Sequence, residues 1–299
     1  MHGLRRTSVP DILSQMWCDN CTAVDEAMSI GAWRTVPRKK AKSIVGRSRD
    51  TRVVCSVNWA GFLSTSQIER LHFPSRRTAQ RRLRALLDHR LIRACLQGTS
   101  LHLQNVYALA PAGVAYLESR GITGDRPRRI VRAQKLEHAL AVRDLFVAFC
   151  VAAQSNRIEL QDFRFEDDLA REAIFQAAGI IPDGLAMVRH GDRQLAVGCE
   201  IDLGSETRRM LESKCEHWAE LLRKHPFGPM KLLFVVAGVG RKKAIELLLE
   251  KAGCPGITVL RSSVITEPFE VVERLFARAI RAARIGELEN EKVFRILSK

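Results

Sequence analysis

Ser75-Arg76-Arg77-Thr78-Ala79-Gln80-Arg81-Arg82-Leu83-Arg84-Ala85-Leu86-Leu87-Asp88 reads as one amphipathic helix. Pro74 breaks the chain before it, and Ser75 stands where a capping side chain is wanted. Ala79, Leu83, Leu86 and Leu87 fall on one stripe, and Arg76, Arg77, Arg81, Arg82 and Arg84 occupy the remainder. Between Arg70 and Arg93 there are eight arginines and a single acid, Asp88. A merely solvated face interleaves acids for solubility and i,i+4 pairing. This one does not, so a phosphate-bearing partner is expected.

Outward from this helix the pattern stays compact. On the N-terminal side, Trp59 to Phe62 opens a helix, and Ser64-Thr65-Ser66-Gln67 caps another running through Ile68 and Leu71 to Phe73. On the C-terminal side, Leu91–Leu96 and Leu101–Leu109 read as strands around the turn Gln97-Gly98-Thr99-Ser100. Ala110-Pro111-Ala112-Gly113 then leads into a short helix carrying Val114 and Leu117. Helix, helix, arginine-rich helix, hairpin and closing helix is the order of a winged helix-turn-helix, here over residues 51–125. In such a unit the second helix of the pair enters the major groove. Arg76, Arg77, Gln80, Arg81, Arg82 and Arg84 are therefore the candidate DNA contacts, and Arg and Gln suit guanine and adenine. Double-stranded DNA is preferred over RNA because the helix fits the B-form groove.

The whole chain agrees with that partner. Its 299 residues suit two domains, and 48 Lys and Arg against 33 Asp and Glu give a net charge of +15. No apolar run is long enough to span a membrane, and no basic stretch leads into a signal-like apolar segment, so a cytoplasmic protein is expected. Eight cysteines are scattered through apolar segments, as reduced thiols are. Cys18 and Cys21 have the spacing of a zinc half-site, but no second pair follows at a finger-like distance. Residues 1–50 carry Arg38, Lys39, Lys40, Lys42, Arg47 and Arg49 with little periodicity. They read as a basic arm, either laid along a DNA backbone or serving as a solvated tail.

A basic linker, Arg126, Arg128, Arg129, Arg132 and Lys135 around Pro127, opens the second domain, residues 126–299. Its pattern predicts a helix at 134–155, strands at 158–165, 182–188 and 194–203, a helix at 205–224, a strand at 231–237, a helix at 240–252, a strand at 257–262 and a helix at 268–284. Along 194–203, Leu195, Val197, Cys199, Ile201 and Leu203 point one way, while Ala196, Gly198, Glu200 and Asp202 point the other. The His190-Gly191-Asp192-Arg193 turn makes a hairpin with the preceding strand, which brings Asp183 towards Glu200 if the register allows. Converging carboxylates need a cation or a proton, and hard oxygen clusters suit Mg2+ or Mn2+. Lys214, flanked by Met210, Leu211, Trp218 and Leu221, is aimed at the sheet. The plain alternative is that Asp183 ends a turn, Glu200 and Asp202 pair with arginines, and Lys214 snorkels to solvent.

The order helix, three strands, helix, strand resembles the αβββαβ core of PD-(D/E)XK nucleases, with Pro182-Asp183 and Glu200-Ile201-Asp202 at the two acidic motifs. That resemblance implies a restriction-endonuclease-like domain with Asp183, Glu200, Asp202 and Lys214 as catalytic candidates. Asp183, Glu200 and Glu137 are the metal candidates, for Mg or Mn. The lysine expected two residues after Glu200 is replaced by Asp202, so Lys214 must serve from the helix or the site is degenerate. Glu137-His138, Pro182-Asp183-Gly184 and Glu200 to Glu206, with Lys214 following, also resemble the replication-relaxation family over residues 50–285. This implies a role in plasmid-type replication or DNA relaxation on a mobile element, with a homodimer or replication and mobilisation proteins as companions. The competing expectation is a non-enzymatic winged-helix repressor or accessory factor. A tyrosine relaxase is disfavoured, because Tyr107 and Tyr116 both fall in the wing and its closing helix.

Overall fold

The computed structural model describes residues 48–95, 105–122, 133–155, 158–224 and 230–282. The chain divides into two units, residues 1–136 and 137–299. The Cys18 and Cys21 pair, the basic arm up to Arg47, the Gln97–Ser100 turn and the linker arginines from Arg126 to Arg132 lie outside the described residues.

The first unit runs α1 (Ser48–Ala60), β1 (Phe62–Ser64), α2 (Thr65–His72), α3 (Arg76–Asp88), β2 (Ile92–Cys95), β3 (Val106–Leu109) and α4 (Pro111–Glu118). Sequence placed a helix start at Trp59, but Trp59 lies at the end of α1, whose buried Val53, Val54 and Val57 begin the core. Gly61, at φ 76°, then turns the chain into a short strand that sequence did not foresee. The cap of α2 is as expected and stronger: the Gln67 amide donates to Ser64 Oγ at 3.3 Å, and the Ser64 amide donates to Gln67 Oε1 at 2.9 Å. Ser75 caps α3, which buries Ala79, Leu83 and Leu86. The strands form an antiparallel sheet in the order β1-β3-β2. The unit is thus a helix-turn-helix (α2 and α3) followed by a hairpin whose free edge is closed by β1.

The second unit runs α5 (Ala133–Gln154), β4 (Glu159–Phe165), α6 (Glu166–Leu169), α7 (Ala173–Ala178), β5 (Gly184–His190), β6 (Arg193–Asp202), α8 (Arg208–Lys224), β7 (Met230–Val236), α9 (Val239–Ala252), β8 (Gly256–Leu260), α10 (Arg261–Thr266) and α11 (Pro268–Ala282). This is the expected αβββαβ order with three short helices added, α6, α7 and α10. The sheet order is β4-β5-β6-β7-β8, antiparallel from β4 to β6 and parallel from β6 to β8. The change of direction follows from the connections: a tight turn joins antiparallel β5 and β6, and the segment with α6 and α7 returns β4 to antiparallel β5, whereas α8 and α9 cross back over the sheet to start parallel strands.

Both faces of the sheet are covered. One carries a core of Ala196, Leu211, Cys215, Trp218, Leu232, Phe234, Ile245 and Leu249 under α8 and α9. On the other, Phe146 of α5 meets Phe163 at 5.4 Å between ring centroids, and Phe163 meets Phe165 at 5.0 Å. Lys231 faces that side too, and its ammonium donates to the Leu275 carbonyl of α11 at 2.7 Å. The expectation of one core face and one carboxylate face on β6 is therefore amended, since Leu195 through Asp202 are all buried. Gly198 explains how α8 comes so close: a Cβ there would lie 2.7 Å from the tip of the Trp218 ring. The small residues at 196 and 198 leave room for an indole, not for solvent.

Candidate functional site

Two sets of residues carry chemistry. The first is the solvent side of α3. Arg77, Gln80, Arg81 and Arg84 are exposed and follow one another at helical spacing, so they form a single stripe opposite Ala79, Leu83 and Leu86. No acid pairs with Arg77, Arg81 or Arg84 among the described residues. Arg76, half-buried, lies 3.7 Å from Glu69 and borders the stripe. Arg82, grouped with the DNA contacts by sequence, turns inward. Its Nε and Nη2 donate to the two oxygens of Asp50, whose side chain is fully buried. A bidentate pair of this kind fixes α3 against α1 and leaves the guanidinium no fork to offer a base.

The second set is set by register. β5 and β6 pair with Gly184 opposite Cys199, so Asp183, just before β5, meets the end of β6. Its Oδ2 accepts from the Ile201 amide at 2.7 Å. His138 of α5 reaches the same place, with Nε2 at 3.3 Å from that Oδ2 and 3.1 Å from the Ile201 carbonyl. Two acceptors around one ring nitrogen make it the N–H donor. The bond to Asp183 raises the His138 pKa, against the opposing effect of burial.

Glu200 is 1% exposed and sits beneath α8. The Trp218 indole Nε1 donates to its Oε1 at 2.9 Å, and Lys214 Nζ lies 3.0 Å from its Oε2. Lys214 also donates to Glu206 Oε1 at 2.6 Å. Burial, and then the neighbouring Asp183 carboxylate, push the Glu200 carboxyl up, while Lys214 and Trp218 pull it back. Both of its oxygens face donors, which is the geometry of the ionised form. Burial draws the Lys214 ammonium down, but Glu200 and then Glu206 outweigh it and leave the group above an ordinary lysine. Asp202, 2% exposed, takes the Arg241 guanidinium of α9, with Nη2 at 3.1 Å from Oδ1, and accepts the Gly204 amide at 3.0 Å.

The structure thus brings Asp183, Glu200 and Lys214 together, as sequence expected, and gives Asp183 the His138 N–H, Glu200 and Glu206 the shared Lys214 ammonium, and Asp202 the Arg241 guanidinium. Glu137 does not join them. It is 78% exposed on α5, and Arg261 lies 3.4 Å from it, because residues 137 and 138 point about 100° apart on a helix. His138, not Glu137, is the residue of that pair which reaches the acids.

The donor set fits a divalent ion poorly. Both Glu200 oxygens, Asp183 Oδ2 and the Ile201 carbonyl already accept bonds from Trp218, Lys214, His138 and the Ile201 amide. Hard cations need several free oxygens converging within roughly 2.0–2.6 Å. The carboxylate oxygen of the cluster that is buried without a hydrogen-bond partner among the described residues is Glu206 Oε2, and it sits beside an ammonium. No group of three or more metal-ligating side chains converges among the described residues. Sequence missed Trp218 and Arg241 as members of the cluster. For Trp218 the small residues Ala196 and Gly198 were the available signal; for Arg241 there was none.

The architecture is thus a helix-turn-helix unit followed by an αβββαβ unit with acids converging at the ends of its central strands. The sequence profile of the replication-relaxation family matches residues 56–236, more than half of the chain, and the protein belongs to that family. No curated protein matches it in sequence. Among solved structures, the restriction endonuclease FokI bound to DNA aligns over 78% of this chain and 46% of the FokI chain, at 13% identity and a TM-score of 0.31. A further structure of FokI gives the same coverage at 12% identity and a TM-score of 0.28. This chain therefore spans a little under half the FokI length. No helix among the described residues is long and apolar enough to cross a membrane.

Proposed function

We propose that this protein is a cytoplasmic DNA-binding factor of a mobile element that grips duplex DNA through α3 of a winged helix and acts in plasmid-type replication or DNA relaxation. The observation that carries the reading is the unpaired stripe of Arg77, Gln80, Arg81 and Arg84 on the exposed side of α3. Family membership supports the process, since replication and relaxation both act on DNA. In this reading the second unit keeps a nuclease-like frame whose acids are neutralised by the chain's own cations, so the protein works by binding and not by metal-dependent hydrolysis.

Duplex binding measured by fluorescence anisotropy tests the first part. Affinity should fall by orders of magnitude between about 50 and 200 mM salt, because each neutralised phosphate releases condensed counterions. A binding constant flat over that range removes the electrostatic basis of the proposal. The neutralised cluster equally favours a non-enzymatic repressor or accessory factor. Plasmid copy number and superhelicity separate the two: deleting the gene changes them under the first reading, and changes only transcript levels under the second.

A further inference from the structure

An open cavity of about 480 Å³ lies between the first turns of α8 and the segment that follows α7. Its volume is within the range of roughly 300–1,000 Å³ typical of ligand sites. Its lining has two halves. Ile181, 42% exposed, and Met210, 55% exposed, are two of the few large apolar side chains left at the surface among the described residues, and both face it. Around them stand Arg209, Ser213, His217 and Lys214, with no acid in the lining. Lys214 is shared by Glu200 and Glu206, so Arg209, which pairs with no acid among the described residues, is the cation with charge to spare.

An apolar lip beside an uncommitted guanidinium and a hydroxyl suits a ligand with a flat apolar face and an anion one bond system away. A stacked duplex presents its phosphates but hides its base faces, and so leaves Ile181 and Met210 unused. An unpaired nucleotide presents both. An acidic peptide would meet the cation but offers no planar face to the two flexible aliphatic side chains. We propose that this cavity holds one nucleotide of an unpaired DNA strand, its base against Ile181 and Met210 and its phosphate on Arg209, with Ser213 and His217 available to the sugar and base edge. The site goes beyond duplex binding by α3: a protein that grips duplex with one unit would hold the displaced strand with another surface.

The test uses the full chain and a fluorescein-labelled oligodeoxythymidylate of about eight nucleotides, which has bases to stack and no complement. Arg209→Ala should weaken its binding roughly tenfold, the value of one charge-assisted hydrogen bond. Met210→Ser should weaken it severalfold, and Ser213→Trp, which fills the cavity, should abolish it. All three positions are exposed, so an unchanged unfolding midpoint verifies that the fold is intact. Duplex affinity should stay within about twofold in these variants, since they leave the α3 stripe unchanged. A companion chain with Arg77, Arg81 and Arg84 all changed to Ala should lose duplex and keep the single strand. If that chain keeps duplex affinity, the α3 reading fails and the cavity stands. If the wild type does not bind the oligonucleotide, if the cavity variants bind it as well as the wild type, or if the α3 variant loses it, the strand is not held here and the proposal is overturned.

Discussion

Arg81 and Arg82 are neighbours in sequence with opposite roles. Arg82 neutralises Asp50, which has no exposed side-chain surface, and stripping one partner from a buried pair costs about 3–5 kcal/mol because the other charge stays buried. Arg82→Ala should therefore lower the stability of the first unit by roughly that amount in denaturant titration, while the fraction that remains folded binds duplex as before. Arg81→Ala should leave stability within about 0.5 kcal/mol and relax sequence preference by about 1–3 kcal/mol at the base pair it reads. Equal unfolding midpoints for the two variants would mean that Asp50 does not depend on Arg82. His138 gives a pH signature. Its bond to Asp183 raises the folded-state pKa above the unfolded value of about 6.5. The stabilisation is therefore complete below that value and is lost as pH rises through the folded-state pKa. The His138 side chain is 37% exposed, so solvent screens the pair and the effect is modest. Unfolding midpoints followed from about pH 6 to pH 9 should decline more steeply for wild type than for His138→Gln, and parallel curves would remove the pair from the stability balance.

At the scale of elements, α3 acts as one surface. Changing Arg77 and Arg84 together to Ala should flatten the dependence of log affinity on log salt by about two phosphate contacts' worth, since each neutralised phosphate contributes a slope near 0.9. An unchanged slope would show that the phosphates are met elsewhere. The element itself was legible because its apolar stripe, its serine cap and its lack of acids all lie within one stretch, Ser75 to Asp88. What the stretch does not contain is Asp50, on a helix whose start sequence placed at Trp59, and so Arg82 looked the same as Arg81. The same division holds in the second unit. Asp183 could be brought towards Glu200 from sequence because the His190–Arg193 turn fixes the register of β5 and β6, and His190 does pair with Arg193. The Asp202 partner, Arg241, lies at the start of α9. Finding it requires knowing that α9 returns to the end of β6, which is a property of the parallel connection and not of any local pattern. Ala196 and Gly198 announced a face of small residues, but only the packed helix says that an indole fills it. The short helices α6 and α7 were missed because four and six residues are too few for a helical period to declare itself.

For the whole molecule the decisive quantity is where its cations are placed. Of 48 lysines and arginines, Arg77, Arg81 and Arg84 lie uncommitted on α3, while Lys214 and Arg241, together with the His138 imidazole, are spent inside against the acids of the second unit's cluster. If these internal cations occupy the role that a dication fills in a hydrolytic site, the wild-type chain should neither nick supercoiled plasmid in Mg2+ nor shift its unfolding midpoint in millimolar Mn2+. Something that binds only the folded state must raise that midpoint by mass action, so the second measurement is independent of any activity. Lys214→Ala then separates a cation-locked cluster from an unrelated surface. Removing the ammonium leaves Glu200 buried beside Asp183 with only the Trp218 indole to satisfy it, which should cost on the order of 3 kcal/mol. Mn2+ should restore part of that loss in the variant, because the vacated space lies between oxygens that prefer a cation. Lys214→Met, which keeps the stem but not the charge, should behave like the Ala variant towards Mn2+ and lose less packing. Clean nicking by the wild type, abolished in both Asp183→Ala and Glu200→Ala, would show that the acids exchange their internal partners for metal during turnover. Such a result would sink the binding-only reading of the second unit, and it would make Lys214 a mobile member of the site instead of its lock.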